Sequence, residues 1–183
     1  MESALAWIGQ VAEWFGQFIP RVRNVRVTHQ VVKFKRGRVF LVNAGLRMYW
    51  PLTTDFLEYP VVRQAVTLRE QTLVTTDDKT VVIGGMMIFR VPQLITLVGE
   101  TYWPDQTVKD LSLTAVHDVC CKLSWDQLKD EQRRGTLDTK LKNEAQAALK
   151  AYGVEVVKLM LTDLAPCRVL RLVNTQAEHK GES

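Results

Sequence analysis

His117, Cys120 and Cys121 form the one group of side chains whose types and spacing suggest chemistry, that of a bound transition metal. A tetrahedral zinc site needs four ligands held apart. Adjacent cysteines suit that geometry poorly, and no fourth ligand stands nearby. On a helix with apolar neighbours the three read as core residues instead. The sequence contains no G-x-S-x-G, no P-loop, no H-E-x-x-H and no G-x-G-x-x-G, the signatures that acyl transfer, nucleotide binding and zinc proteolysis would leave. The expectation is a protein that is not an enzyme, with no catalytic residue, metal or cofactor. The run Lys33-Phe-Lys-Arg-Gly-Arg38 sets basic side chains beside an aromatic. Without an accompanying nucleic-acid motif it reads as a solvated strand and turn, so no nucleic-acid partner is expected.

A chain of 183 residues, 46% hydrophobic and 24% charged, is long enough for one domain with a real core and short for two independent ones. It has no run of 18 apolar residues, so no helix of standard length spans a bilayer. The net charge of +4 is unevenly spread: residues 1–69 hold ten Lys/Arg against four Asp/Glu, and the remainder is mildly acidic. Such asymmetry favours one-sided attachment to an anionic surface. Three cysteines, two of them adjacent, make a poor disulfide framework and read as reduced, which points to the cytoplasmic side.

The opening segment carries the clearest physical signal. Placed on a helix, Ala4, Leu5, Trp7, Ile8, Val11, Ala12, Trp14, Phe15, Phe18 and Ile19 share one half of the cylinder, opposite Glu2, Ser3, Gln10, Glu13 and Gln17. Pro20 ends it. Sixteen such positions make roughly 24 Å of helix, short of the ~30 Å hydrocarbon core, and Glu13 lies in the middle. The predicted outcome is an amphipathic helix lying in the interface, with Arg21, Arg23 and Arg26 beside anionic headgroups. A secretory signal would carry its positive charge before the apolar stretch rather than after it. The remaining alternative is a helix packed on the protein's own core. No glycine follows Met1 and no early cysteine is present, so no lipidation site is visible.

Residues 25–91 read as β-rich: Val25 to Phe34, Val39–Val42, Leu46–Trp50 stopped by Pro51, Val61–Thr75, a polar hairpin loop at Thr76–Lys79, and Val81–Val91 with Gly84-Gly85 as a bulge. The period then becomes helical from Pro104 through Cys120. Ser124-Trp-Asp-Gln127 fits a capping box, and Leu137 to Leu149 makes an amphipathic helix ending by Gly153. Val154–Leu161 closes as a strand, and residues 174–183 are polar. The fold class is α+β. Met48-Tyr49-Trp50 and the following Pro-Leu form either a turn tip that dips into headgroups or a buried core turn. Tyr102-Trp103 serves either a neighbouring subunit as an oligomer interface or internal packing.

These segments resemble the stomatin/prohibitin/flotillin family, also called SPFH or band-7. The similarity lies in Gly37, Gly45-Leu46 and Pro51, in Leu73-Val-Thr-Thr-Asp-Asp-Lys-Thr-Val-Val-Ile83, in Ile88-Phe-Arg-Val91, and in Gly153-Val-Glu-Val-Val-Lys-Leu159 with Thr162-Asp163-Leu164. The resemblance implies an anchor at 1–20, an SPFH domain at 21–165 with a β-rich lobe to about 91 and an α/β lobe after it, and a short tail at 166–183. It also implies a membrane-associated scaffold that self-assembles as a homo-oligomer, organises a membrane microdomain and holds a membrane protein such as a channel or membrane-bound protease. The chain departs from the pattern in two ways. Its anchor is interfacial rather than spanning, and the charged coiled coil that follows the domain in the family has no counterpart here, which tells against a large closed cage. The alternative implied by the stomatin-like branch is a monomeric adaptor or a peripheral Ser–Lys hydrolase, with Ser124 beside Lys122 or Lys129.

Overall fold

The computed structural model describes residue 16, residues 19–35 and residues 37–167. Short β-branched and alternating stretches in the first third become five strands: β1 (Arg21–Val25), β2 (His29–Lys35), β3 (Arg38–Val42), β4 (Gly45–Tyr49) and β5 (Thr54–Pro60). β2 and β3 pair antiparallel as a hairpin turning at Gly37, and β5 adds antiparallel on the other side of β2, giving the order β3-β2-β5. The continuous strand expected from Val25 to Phe34 is broken at Arg26–Thr28, because β1 leaves β2 and pairs with β4 instead. Strand β5 shows no clean alternation of apolar and polar side chains. Its partners on β2 make it a strand, an instance of tertiary pairing outweighing local preference.

The second lobe is one antiparallel sheet, β6 (Gln64–Val74), β7 (Thr80–Arg90) and β8 (Glu155–Pro166) in that order, with helices α1 (Leu94–Glu100), α2 (Pro104–Cys120), α3 (Trp125–Arg134) and α4 (Thr136–Leu149) between β7 and β8. The central strand buries Val81, Ile83, Met87 and Phe89 on the face that meets the helices. Against them lie Val108, Val116 and Cys120 of α2 and Leu137, Leu141, Ala145 and Leu149 of α4, the four-residue spacing that puts a helix's apolar side chains on one stripe. The expected irregularity is present, since pairing of β7 with β8 shifts register between Gly84 and Gly85, but the extra residue, Thr162, lies on β8. A Cβ on Gly84 would come within 2.9 Å of Asp163 Oδ2, so a larger residue there would have to displace that carboxylate. The division expected at about residue 91 does not follow the sheets. β6 and β7 pair with β8, and the change from one sheet system to the other falls between β5 and β6.

The capping box at Ser124 is formed in full. Gln127 N–H donates to Ser124 Oγ at 3.3 Å, and Ser124 N–H donates to Gln127 Oε1 at 3.0 Å. The same helix start is tied to the β6–β7 turn through Asp77, whose carboxylate accepts from Thr75 Oγ1 at 2.6 Å and from Trp125 N–H at 3.0 Å, with Lys79 Nζ 2.9 Å away. The Thr75 hydrogen bond first, then Lys79 and the Trp125 amide, hold the Asp77 carboxyl well below the usual carboxylate range. A carboxylate whose folded-state pKa is depressed contributes its stability fully above the unfolded-state value of about 4 and loses it as the pH falls below that. Asp77→Ala is therefore expected to lower the melting temperature at pH 7 and to narrow the gap to the parent protein as the pH drops from 5 to 3. Thermal melts across that range check it, and a gap independent of pH would refute the role.

Candidate membrane-facing and partner-facing surfaces

Alternation along a two-stranded ribbon sorts the first candidate site. In the β1–β4 pairing Val22 lies opposite Met48 and Asn24 opposite Leu46, so these four share a face, and Trp50 continues it beyond the strand end. Arg21 opposite Tyr49 and Arg23 opposite Arg47 make the other face. The two faces meet different surroundings. The arginine face turns toward the β2–β5 sheet, where Arg23 Nη2 donates to Glu58 Oε2 at 2.9 Å and Tyr49 packs edge-on against Phe56 with ring centroids 4.6 Å apart. Lys33 Nζ lies 5.8 Å from the centroid of the same Phe56 ring, a cation–π contact that keeps the amine wet. The opposite face is open: Leu46 is 72% exposed, Met48 67% and Val22 58%, with Trp50 and Leu52 half exposed beside them.

Of the residues expected at a membrane surface, Leu5, Trp7, Ile8, Val11, Trp14, Phe15 and Phe18 lie outside the described residues. Ile19 is exposed, as are Arg21, Arg23 and Arg26. Met48 and Trp50 fall on the open face, whereas Tyr49, grouped with them in the sequence reading, faces inward onto Phe56. Val22 and Leu46 share that open face. Their signal is the two-residue period shared by Val22–Asn24 and Leu46–Met48–Trp50, legible only once β1 is known to pair with β4.

The second candidate lies between α1 and α2, where Tyr102 and Trp103 are 86% and 69% exposed and pack edge-to-face at 5.0 Å between centroids. They border a hollow of about 730 Å³ whose other walls are Phe34, Leu57 and Tyr59 of the small sheet and Val98 of α1. Tyr59 OH donates to Asp105 Oδ1 at 2.7 Å at its base. Burial, then the neighbouring Asp105 carboxylate, pushes the Tyr59 pKa up, so the phenol stays protonated and holds the two lobes together at this point.

The metal candidate separates. Cys120 is fully buried, and burial followed by the charge of Cys121 pushes its thiol up to about 12. His117 is exposed, its Nε2 3.5 Å from Cys121 Sγ, so the expectation that all three belong to the core holds for Cys120, holds in part for Cys121, which packs against the core while half-buried, and fails for His117. Among the described residues no group of three or more His, Cys, Asp or Glu converges on a point that a metal ion would occupy. Ser124 Oγ is occupied as the α3 cap. Lys129 pairs with Asp126 at 2.7 Å and lies 5.3 Å from the Trp125 ring centroid, so the Ser124 hydroxyl and the Lys129 amine each have other partners.

These features define a two-lobed α+β module with exposed apolar side chains on one ribbon face and one interlobe loop, among other places. A profile of the SPFH domain / Band 7 family matches residues 23–175, and the chain belongs to that family. Its members are generally membrane-associated, scaffold-like and non-enzymatic proteins. An uncharacterised protein from Archaeoglobus fulgidus is 24% identical to this chain over 180 residues, which span 96% of this chain and 71% of that protein. No helix among the described residues is long and apolar enough to cross a membrane.

Proposed function

We propose that this protein is a membrane-surface scaffold: it lies on the cytoplasmic leaflet, self-assembles laterally and holds partner membrane proteins such as a channel or membrane-bound protease. The observation that carries the reading is the open apolar face of the ribbon, whose first strand follows the amphipathic 4–19 sequence along the chain. Leu46, Met48 and Trp50 in water expose a patch of the kind soluble surfaces avoid. Sunk among acyl chains, the same patch is favourable, and each exposed arginine of this region that reaches anionic lipid adds about 1 kcal/mol. The anchor segment and the ribbon act as two weak attachments on one body. Joining two such contacts multiplies their effect, and lateral assembly multiplies it again.

Flotation with phosphatidylcholine/phosphatidylserine vesicles tests this. Replacing Leu46, Met48 and Trp50 together by Asp removes burial worth roughly 1–2 kcal/mol per side chain and is expected to weaken vesicle partitioning about a hundredfold or more. A Trp7/Trp14/Phe15→Ala variant is expected to weaken it comparably through the anchor. Unchanged flotation of both variants, with melting temperatures preserved, would reject the membrane role.

A further inference from the structure

The small sheet presents two unlike edges. Among the described residues β3 has no partner strand beyond it on one side, and Val39, Phe40 and Leu41 are 41–46% exposed, apolar on both faces. Natural edge strands are usually blunted by a charge, a proline or a bulge, and between Arg38 and Val42 this one has none of the three. On the other side lies β5, likewise without a further partner, with the hollow walled by Leu57, Tyr102 and Trp103 above its face. Because the strand order is β3-β2-β5, the free edges of β3 and β5 look out in opposite directions, and the hollow lies over Phe34 of β2 and Leu57 of β5 with α1 as a further wall. One protruding apolar edge and one apolar recess at separate places on a sheet are the requirements of a head-to-tail contact.

We propose that the exposed edge Arg38–Val42 of one copy docks beside β5 of a second copy, its apolar side chains entering the hollow under Tyr102 and Trp103. The proposal rests on the self-assembling scaffold reading and names the interface through which it assembles. Charge matches as well as shape. Arg38 opens the edge strand, and Glu100, exposed on the rim of the hollow, is paired with no cation among the described residues. A strand of five residues spans about 17 Å and brings free backbone groups alongside those of β5, so side-chain burial is joined by strand pairing. The contact is heterologous: each copy offers its edge to one neighbour and its recess to another, which leads to chains or rings instead of closed pairs.

Two surface variants of the full chain test this on phosphatidylcholine/phosphatidylserine vesicles with amine crosslinking. Val39→Asp/Leu41→Asp spoils the edge, and Tyr102→Ala/Trp103→Ala spoils the recess. Wild type is expected to give a ladder, and each variant alone to lose about tenfold or more of every species above monomer, as expected for hot-spot truncation. An equal mixture of the two variants is expected to recover a dimer holding one copy of each and nothing larger, since only one intact edge–recess pair remains. A charge swap supplies a second measure: Arg38→Glu and Glu100→Arg each weaken assembly alone and recover it when mixed. Variants that assemble like wild type, or a mixture that stays monomeric, would overturn this interface and leave the scaffold reading standing. Wild type that binds the vesicles yet remains monomeric would overturn both. Wild type that is monomeric and carries a copurified acyl lipid, shed by the Tyr102/Trp103 variant, would reassign the hollow to lipid.

Discussion

Gly153→Val is expected to destabilise the fold by about 2–5 kcal/mol, combining a left-handed backbone penalty of roughly 1–2 with overpacking of 1–3. Gly153 closes the helical turn Lys150–Tyr152 with φ +70°, a conformation that β-branched residues adopt at high cost. A Cβ there would also stand 2.8 Å from Gln93 Cβ and 2.9 Å from Gln93 O, with Thr96 Cβ at 3.2 Å. The backbone carbonyl cannot swing aside as a side-chain tip would. Against a total stability on the order of 5–15 kcal/mol, such a loss moves the urea midpoint by one molar or more at unchanged slope. Gly153→Asn separates the two causes, since asparagine tolerates the left-handed region but keeps the clash. It is expected to fall between glycine and valine. A Gly153→Val midpoint within experimental error of the parent would mean that α1 does not press on this turn.

The second large effect is expected at Phe89, 3% exposed on β7 and packed between the sheet and α2. Phe89→Ala removes a ring from the core and leaves a cavity that rigid neighbours only partly fill, a change that costs about 3–5 kcal/mol. Val74→Ala at the half-exposed end of β6 serves as the comparison and is expected to cost about 0.5 kcal/mol or less. Urea denaturation of both variants gives the difference directly. Near-equal midpoints would show that the face of β7 toward the helices is not the centre of stability.

Much of the second lobe is legible from sequence because its signals are local. The Pro104–Cys120 helix, the Ser124 capping box, the Leu137–Leu149 stripe and the Gly84-Gly85 irregularity each rest on residues within one or two turns of one another. The first lobe is less so. β1 pairs with β4 across an intervening hairpin, and β5 becomes a strand through β2; neither partner is adjacent in sequence. Helix α1, seven residues with neither an acidic first turn nor a capping side chain, offered no start signal. The same long-range pairing hid the open apolar face of the ribbon. Trp50 and Met48 stand out as residue types, but only the register against Val22 shows that they share a face and that Tyr49 does not. Tyr102 and Trp103 are conspicuous as an aromatic pair, while the walls they complete come from β2 and β5.

The β1–β4 ribbon also gives the entry to the domain a direction-dependent mechanical strength. Arg21 is both the first residue of β1 and the outermost of five ladder positions, lying against Tyr49. Tension applied along the strand axis loads all the cross-strand rungs in parallel, because ladder hydrogen bonds run perpendicular to the strands. Tension applied sideways strains the Arg21 rung alone and then each successor in turn. A drag parallel to β1 therefore meets a shear clamp, and a lift across it meets a zipper.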